Sequence, residues 1–180
     1  MVRFDSIKHT TPFGGLVVFR PKVYADERGS VFESYTEHYN LGNFVHELIT
    51  CSKKNVIRGL HFQSGYAAQG KLCQVIYGRI LDVSVDIRFN SPTFGEHFCI
   101  ELNNDNKTQV WIPPGFAHGF SVLSDEAYLH YKCTYTRDVV RERVIRYDDE
   151  CLNIDWLIEK PIVAEKDKNG ISFDEYWEGE

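Results

Sequence analysis

The sequence predicts an all-β fold, a sandwich or a barrel. Short extended segments recur along the chain, with turn residues (Gly, Pro, Asn, Asp) about every eight to twelve residues. Leu81, Val83, Val85 and Ile87 alternate with Asp82, Ser84 and Asp86, the period-2 signature of a strand. No long stretch with a 3.6-residue apolar period competes.

The elements follow in order. Residues 15–19 form a β-branched run that ends at Pro21. Asp26-Glu27-Arg28-Gly29 is a turn, and residues 30–35 read as the next strand. Residues 36–44 have room for a short helical turn, which Gly42 limits. Residues 55–63 read as strand and loop, continuing to Gln69-Gly70-Lys71. Residues 72–88 are two strands hinged at Gly78. A loop at 90–93 leads to a strand over 94–102 and a turn over 103–107. Residues 109–112 form a strand stopped by Pro113-Pro114, and two more follow at 119–124 and 127–135. From Asp148 the pattern is less regular. Trp156, Phe173, Tyr176 and Trp177 are the residues that would dock this tail.

A chain of 180 residues, 43% hydrophobic and 26% charged, is ordinary for one globular domain spanning 1–180 and excludes a disordered protein. A net charge of −6 excludes a broad nucleic-acid surface, although a few local Arg and Lys suffice for a small anion. The opening Met1-Val2-Arg3-Phe4-Asp5-Ser6 is too polar for a signal peptide. No apolar run approaches the ~20 residues of a membrane span. The five cysteines (Cys51, Cys73, Cys99, Cys133, Cys151) include no CxxC, which argues against a zinc knuckle or a thioredoxin-like site. Most of them read as reduced, packed thiols of a cytoplasmic protein, with none in an activating setting.

The chemistry gathers around Asn55-Val-Ile-Arg-Gly-Leu-His-Phe-Gln63. Arg58, His61, Gln63, Gln69 and Lys71 interleave with Val56, Ile57, Leu60 and Phe62, so the polar groups share one concave face. A base, an anion binder and a cation together suggest chemistry on a charged small molecule. Taken alone, His61 reads equally as a hydrogen-bonded core histidine. The same holds for His118 after its Pro-Pro-Gly turn. Tyr131 shares a strand face with Leu129, Cys133 and Tyr135 and alone reads as packing. Glu165-Lys166-Asp167 alone reads as solvated surface.

Taken together, the segments resemble the dTDP-4-dehydrorhamnose 3,5-epimerases. The matching pieces are PKVYADERGSVFESY, SKKNVIRGLHFQ with QGKL, VDIRFNSPTFG, WIPPGFAHGF, HYKCTYT and AEKD, in order from Pro21 to Asp167. The resemblance implies a cupin-type double-stranded β-helix (jelly roll) with a short irregular or helical C-terminal tail. It implies a homodimer in which an N-terminal strand segment of the partner completes each site, with no cofactor and no metal. The substrate would be a nucleoside-diphosphate 4-keto sugar, in deoxy-sugar or heptose assembly for a surface glycan. His61 matches the base, Asp167 the carboxylate that orients it, Tyr131 the acid on the opposite face, and Lys71 the cation near the enolate oxygen. Arg28, Glu33, Arg58, His118, Glu142 and Lys166 match positions that hold nucleotide, diphosphate or sugar, and Gln69 joins them.

The chemistry makes sense independently. Removing a proton next to a ketone creates an enolate, which a cation in a water-poor site stabilises. A His base (reference pKa ~6.5) works near neutrality, a carboxylate favours its imidazolium, and Tyr (~10) can protonate a carbanion. Inversion needs donor and acceptor on opposite ring faces, hence two residues. There is no GxGxxG dinucleotide fingerprint.

Two departures bear on the nucleotide. Where the family carries Gln-x-Asn, this chain has His46-Glu47-Leu48, with Thr50 and Ser52 at the serine positions. Where the family has a tyrosine stacked on thymine, this chain has Arg137. Either Tyr135 takes over the stacking, or the base is not thymine; an Arg suits a purine and so a GDP-linked sugar. Three rivals remain open: a metal cupin, whose His-x-His signature is absent, a ketoisomerase, and an inactive sugar-nucleotide binding module.

Overall fold

The computed structural model describes residues 6–179. The reading of the opening residues as no signal peptide therefore falls largely outside the described residues. In chain order the first strands are β1 (Ser6–Thr10), β2 (Val17–Pro21), β3 (Tyr24–Asp26), β4 (Gly29–Val31) and β5 (His46–Lys53). Next come β6 (Val56–Gln63), β7 (Lys71–Tyr77), β8 (Arg79–Asp86), β9 (His97–Asn103) and β10 (Gln109–Ile112). β11 (Phe116–Val122), β12 (Glu126–Cys133), β13 (Glu142–Val144) and β14 (Ile162–Val163) follow, then the short helices α1 (Glu165–Lys168) and α2 (Phe173–Glu178). The fold is the expected all-β jelly roll of the cupin type, with a short helical tail.

One sheet runs β1-β2-β10-β7-β12-β5 and the other β13-β6-β11-β8-β9, with β14 added parallel to β6. Their inner faces meet in a core that includes Val18, Val75, Ile80, Val110, Ile112, Phe120 and Leu129. The C-terminal tail covers the outer face of the second sheet: Leu152, Trp156, Val163 and Phe173 pack on Ile57, Leu81, Val83 and Val85. Residues 35–44 cover part of the first sheet, with Tyr39 stacked on Phe19 at 4.2 Å. β8 is therefore buried on both faces. Its Asp82, Ser84 and Asp86 point between the sheets, where alternation does not separate core from solvent.

Several boundaries differ from the sequence reading, each for a local reason. The strand over 30–35 stops at Val31. The chain then turns inward, Gln109 Nε2 donates to the Ser34 carbonyl at 2.8 Å, and Tyr35 sets its ring edge against Tyr39 and Phe44. The helical turn is one 3-10 turn, Glu37–Tyr39, closed by Asn40 in the left-handed region. β9 begins at His97 because Ser91 and Thr93 are tied to Asp86. β11 begins at Phe116, so His118 lies within a strand. β12 ends at Cys133 and leaves Tyr135 beyond it. β5 has no counterpart in the sequence reading, yet it pairs with β12 over all its residues. All five cysteines are free. Cys73 and Cys133 are buried, but Cys51, Cys99 and Cys151 are exposed, so the expectation that most of the thiols are packed fails. Among the described residues no helix is long and apolar enough to cross a membrane.

Candidate active site

β6 carries the first wall. A Cβ on Gly59 would lie 2.5 Å from the Gly119 Cα, so the β6 and β11 backbones touch where only glycine fits. The β6–β11 register shifts at that contact, and His61 stands opposite His118. β14 docks beside Val56 and Ile57 and brings α1 in behind His61. Asp167 is thereby buried, its side chain 2% exposed. Its Oδ1 lies 2.9 Å from His61 Nε2, and its Oδ2 accepts the Gly59 N–H at 3.2 Å. Burial works to raise the Asp167 carboxyl, but the His61 hydrogen bond and charge and the Gly59 N–H outweigh it and hold it below the ordinary carboxylate value. An ionised Asp167 accepts a hydrogen bond from His61 Nε2–H, which leaves the Nδ1 lone pair facing the cavity. Nδ1 faces Glu142 Oε1 at 3.7 Å.

The facing wall comes from the other sheet. Tyr131 on β12 lies between Cys73 of β7 and Leu48 of β5. Burial pushes its hydroxyl well above the ordinary tyrosine value, helped by Cys73 and Asp82 and opposed by Arg58. It is therefore held protonated. Lys71 enters from the start of β7, after a Gly70 whose added Cβ would run into the Trp111 ring. Lys71 Nζ donates to the His61 carbonyl at 3.3 Å, and burial lowers its pKa against the pull of Cys73, Cys133, Asp82 and Glu142. Arg58 is steadied by Nε donating to Ser52 Oγ at 2.9 Å.

A second histidine–carboxylate pair lies deeper. His118 Nε2 is 2.8 Å from Asp82 Oδ2, both groups are buried, and the His118 ring sits edge-on to Tyr131 at 5.9 Å. At the mouth, Arg137 grips Glu142 Oε2 through Nε (2.9 Å) and Nη2 (2.5 Å), and Lys166 Nζ reaches Glu142 Oε1 at 3.5 Å. Burial tends to raise the Glu142 carboxyl, but Arg137, Lys166 and His61 bring it below the ordinary value.

These walls enclose a cavity of about 300 Å³. Of the residues singled out from sequence, Arg58, His61, Gln69, Lys71, His118, Tyr131, Arg137, Glu142 and Lys166 line it, and Asp167 stands behind His61. Three do not. Arg28 sits on the β3–β4 turn paired with Asp26, its side chain 84% exposed. Glu33 follows that arm and is also off the cavity. Tyr135 lies past the strand end, where Gln69 Nε2 donates to its carbonyl and its ring meets Tyr66. The sequence reading named His46, Leu48 and Thr50 only as a departure from the family and missed the strand, β5, that brings all three to the cavity. Their i, i+2, i+4 spacing was the available signal. Chemically, the site holds a carboxylate-paired histidine on one wall, a protonated tyrosine on the other, and Lys71 and Arg58 beside the space between them.

Comparison with known proteins bears on this arrangement. The profile described as dTDP-4-dehydrorhamnose 3,5-epimerase matches residues 10–175. A dTDP-4-dehydrorhamnose 3,5-epimerase of Shigella flexneri is 43% identical over 169 residues, covering 91% of this chain and 93% of the relative. The crystal structure of dTDP-6-deoxy-D-glucose-3,5-epimerase from Legionella pneumophila, in complex with dTDP-4-keto-L-rhamnose, superposes with a TM-score of 0.90 at 40% identity, over 94% of each chain. A 3'-monoepimerase of Streptomyces bikiniensis in complex with dTDP-quinovose superposes with a TM-score of 0.89 at 25% identity, over 95% of this chain and 90% of that one.

Proposed function

The chain belongs to the dTDP-4-dehydrorhamnose 3,5-epimerase family, and from that premise we propose that it epimerises a nucleoside-diphosphate 4-keto sugar at C3 and C5, or at C3 alone, in deoxy-sugar biosynthesis. It is an isomerase acting on a carbohydrate. The observation that carries the finer reading is that His61 and Tyr131 reach one cavity from opposite sheets.

The sugar ring lies between the two walls. His61, oriented by Asp167, takes the proton from the carbon next to the C4 ketone through Nδ1, and the electron pair moves into an enolate. Lys71 and Arg58 stabilise the oxygen charge as it develops in a site that water reaches poorly. Tyr131 then delivers a proton to the opposite face, which inverts the centre. His61 passes its proton to solvent, and Tyr131 regains one from solvent. The sequence of steps needs neither a redox change nor a metal.

Glu142, Arg137, Lys166 and Gln69 at the mouth face the diphosphate and base, and His118 faces the sugar. A dTDP sugar is the family's substrate. Arg137 and the change to His46 and Leu48 favour testing a GDP-linked sugar beside it. The homodimer reading has its own support: Arg28 and Glu33 stand on an arm that leaves their own cavity, free to enter the cavity of a second copy. The outer face of the first sheet exposes Ile49 and Ile76, apolar surface suited to an interface. Five free cysteines fit a cytoplasmic protein.

Deuterium wash-in at C3 and C5 of a 4-keto sugar nucleotide tests the reading. A folded protein that binds the nucleotide and exchanges neither position would overturn it in favour of a binding module.

A further inference from the structure

Beneath the cavity, three side chains from three strands converge: Cys73 of β7, Asp82 of β8 and His118 of β11. One ligand atom from each lies within 4.8 Å of the others, and all three residues are buried. Asp82 Oδ2 is engaged by His118, but Asp82 Oδ1 is buried with no partner among the described residues. A carboxylate oxygen left without a partner in a protein interior is costly, and a cation relieves that cost.

The donor set is specific. A thiolate, an imidazole and a carboxylate together suit zinc, whereas magnesium or calcium would call for oxygen ligands alone. The charges also balance, because one thiolate and one carboxylate neutralise Zn²⁺ and the imidazole stays neutral. Tetrahedral bonds to zinc put ligand atoms about 3.4–3.8 Å apart, so the 2.8 Å His118–Asp82 contact opens slightly to admit the ion while Cys73 stays within reach. With three protein ligands, the fourth position stays open.

We propose that Cys73, Asp82 and His118 form a zinc-binding site inside the barrel, and that filling it switches the epimerase off. Zinc plays no part in the proton transfers. It ties up His118 as a ligand and places a dication next to Tyr131, whose ring His118 contacts. On binding, the Cys73 S–H proton leaves to solvent, the neutral His118 ring keeps its single N–H proton on the nitrogen that does not ligate, and zinc remains Zn²⁺. Cys133, which pairs with Lys71 rather than with this group, is not a ligand.

The test is a Co²⁺ titration of chelator-stripped full-length protein. The expected result is a thiolate-to-cobalt charge-transfer band and tetrahedral d–d bands that saturate at one equivalent. Cys73→Val and Cys73→Ala should stay folded and turn over substrate without metal as the parent does, while binding Co²⁺ at least about 100-fold more weakly. A Cys51→Ser/Cys99→Ser/Cys151→Ser protein, lacking the exposed thiols, should keep the band. One equivalent of Zn²⁺ should lower parent turnover about ten-fold or more, reversibly with chelator, and leave Cys73→Val unaffected. No band at one equivalent, a band that survives in both Cys73 variants, or equal zinc inhibition of parent and Cys73→Val would overturn the proposal. The spectrum does not depend on activity, so failure of the zinc site and failure of the epimerase reading are distinguishable.

Discussion

His61 and Tyr131 line one cavity from opposite sheets, His61 on β6 and Tyr131 on β12. On the proposed mechanism, the carbon next to the ketone gives its proton to one wall, and the planar enolate so formed takes a proton from the other. Inversion then follows from which sheet each residue belongs to.

Tyr131→Phe separates the two half-steps. The base remains, so the proton next to the ketone still exchanges with solvent, but inverted product should fall by about 10²–10⁴-fold. Ring-proton NMR in D₂O reads both. Inversion at the parent rate would show that another group supplies the proton.

Asp167→Asn replaces the carboxylate behind His61 Nε2 with an amide that cannot stabilise the imidazolium. Turnover should fall by about 10²–10⁴-fold with nucleotide affinity little changed. The folded Asp167 carboxyl is held below its ordinary value, so its contribution to stability is present above the unfolded carboxylate pKa and is lost as pH falls through the folded one. Steady-state kinetics with nucleotide binding measured alongside checks the first part. A change in affinity alone would place Asp167 in binding instead.

Arg137→Tyr restores a ring at the mouth and releases Glu142 from its two-pronged partner. The ratio of kcat/KM for dTDP- over GDP-linked substrate should rise about ten-fold, the scale of one stacking contact. An unchanged ratio would remove Arg137 from base selection.

Acid stability has a separate source in the loop after β8. Asp86 accepts hydrogen bonds from Arg88 Nε (2.8 Å), Ser91 (2.5 Å) and Thr93 (2.7 Å). Burial opposes its ionisation, but these donors prevail and hold it at about 2 instead of 3.8. The folded value lies below the unfolded one. The stabilisation, about 2 kcal/mol, is therefore complete above pH 3.8 and fades as pH falls towards 2. Denaturation of Asp86→Asn across this range should show lower stability at neutral pH and a flatter acid limb. A limb as steep as the parent's would assign the acid transition elsewhere.

What the sequence revealed, and what it hid, follows from range. The Arg58-to-Lys71 stretch was legible because its base and cations lie close together in the chain. Asp167 was legible only through resemblance. Its charged tripeptide looks solvated, and its burial depends on β14 docking beside a strand about a hundred residues earlier. β5 was hidden because cavity-facing His46 and Thr50 break the apolar alternation that marks a strand. Asp82 was legible only as the other face of an alternating strand; its burial comes from a second sheet and a C-terminal layer that cover both faces. Arg28 and Glu33 were matched to the site by motif, but within one chain their arm points away from it.

The central claim is proton abstraction by His61 with return from the opposite face. Its most direct test is ring-proton NMR of dTDP- and GDP-linked 4-keto sugars incubated with the protein in D₂O, beside His61→Ala. The account predicts deuterium at C3, or at C3 and C5, with inverted product for the parent, and nucleotide binding without exchange for His61→Ala. Parent protein that is folded and binds nucleotide yet exchanges no ring proton, or His61→Ala that exchanges as the parent does, would contradict it.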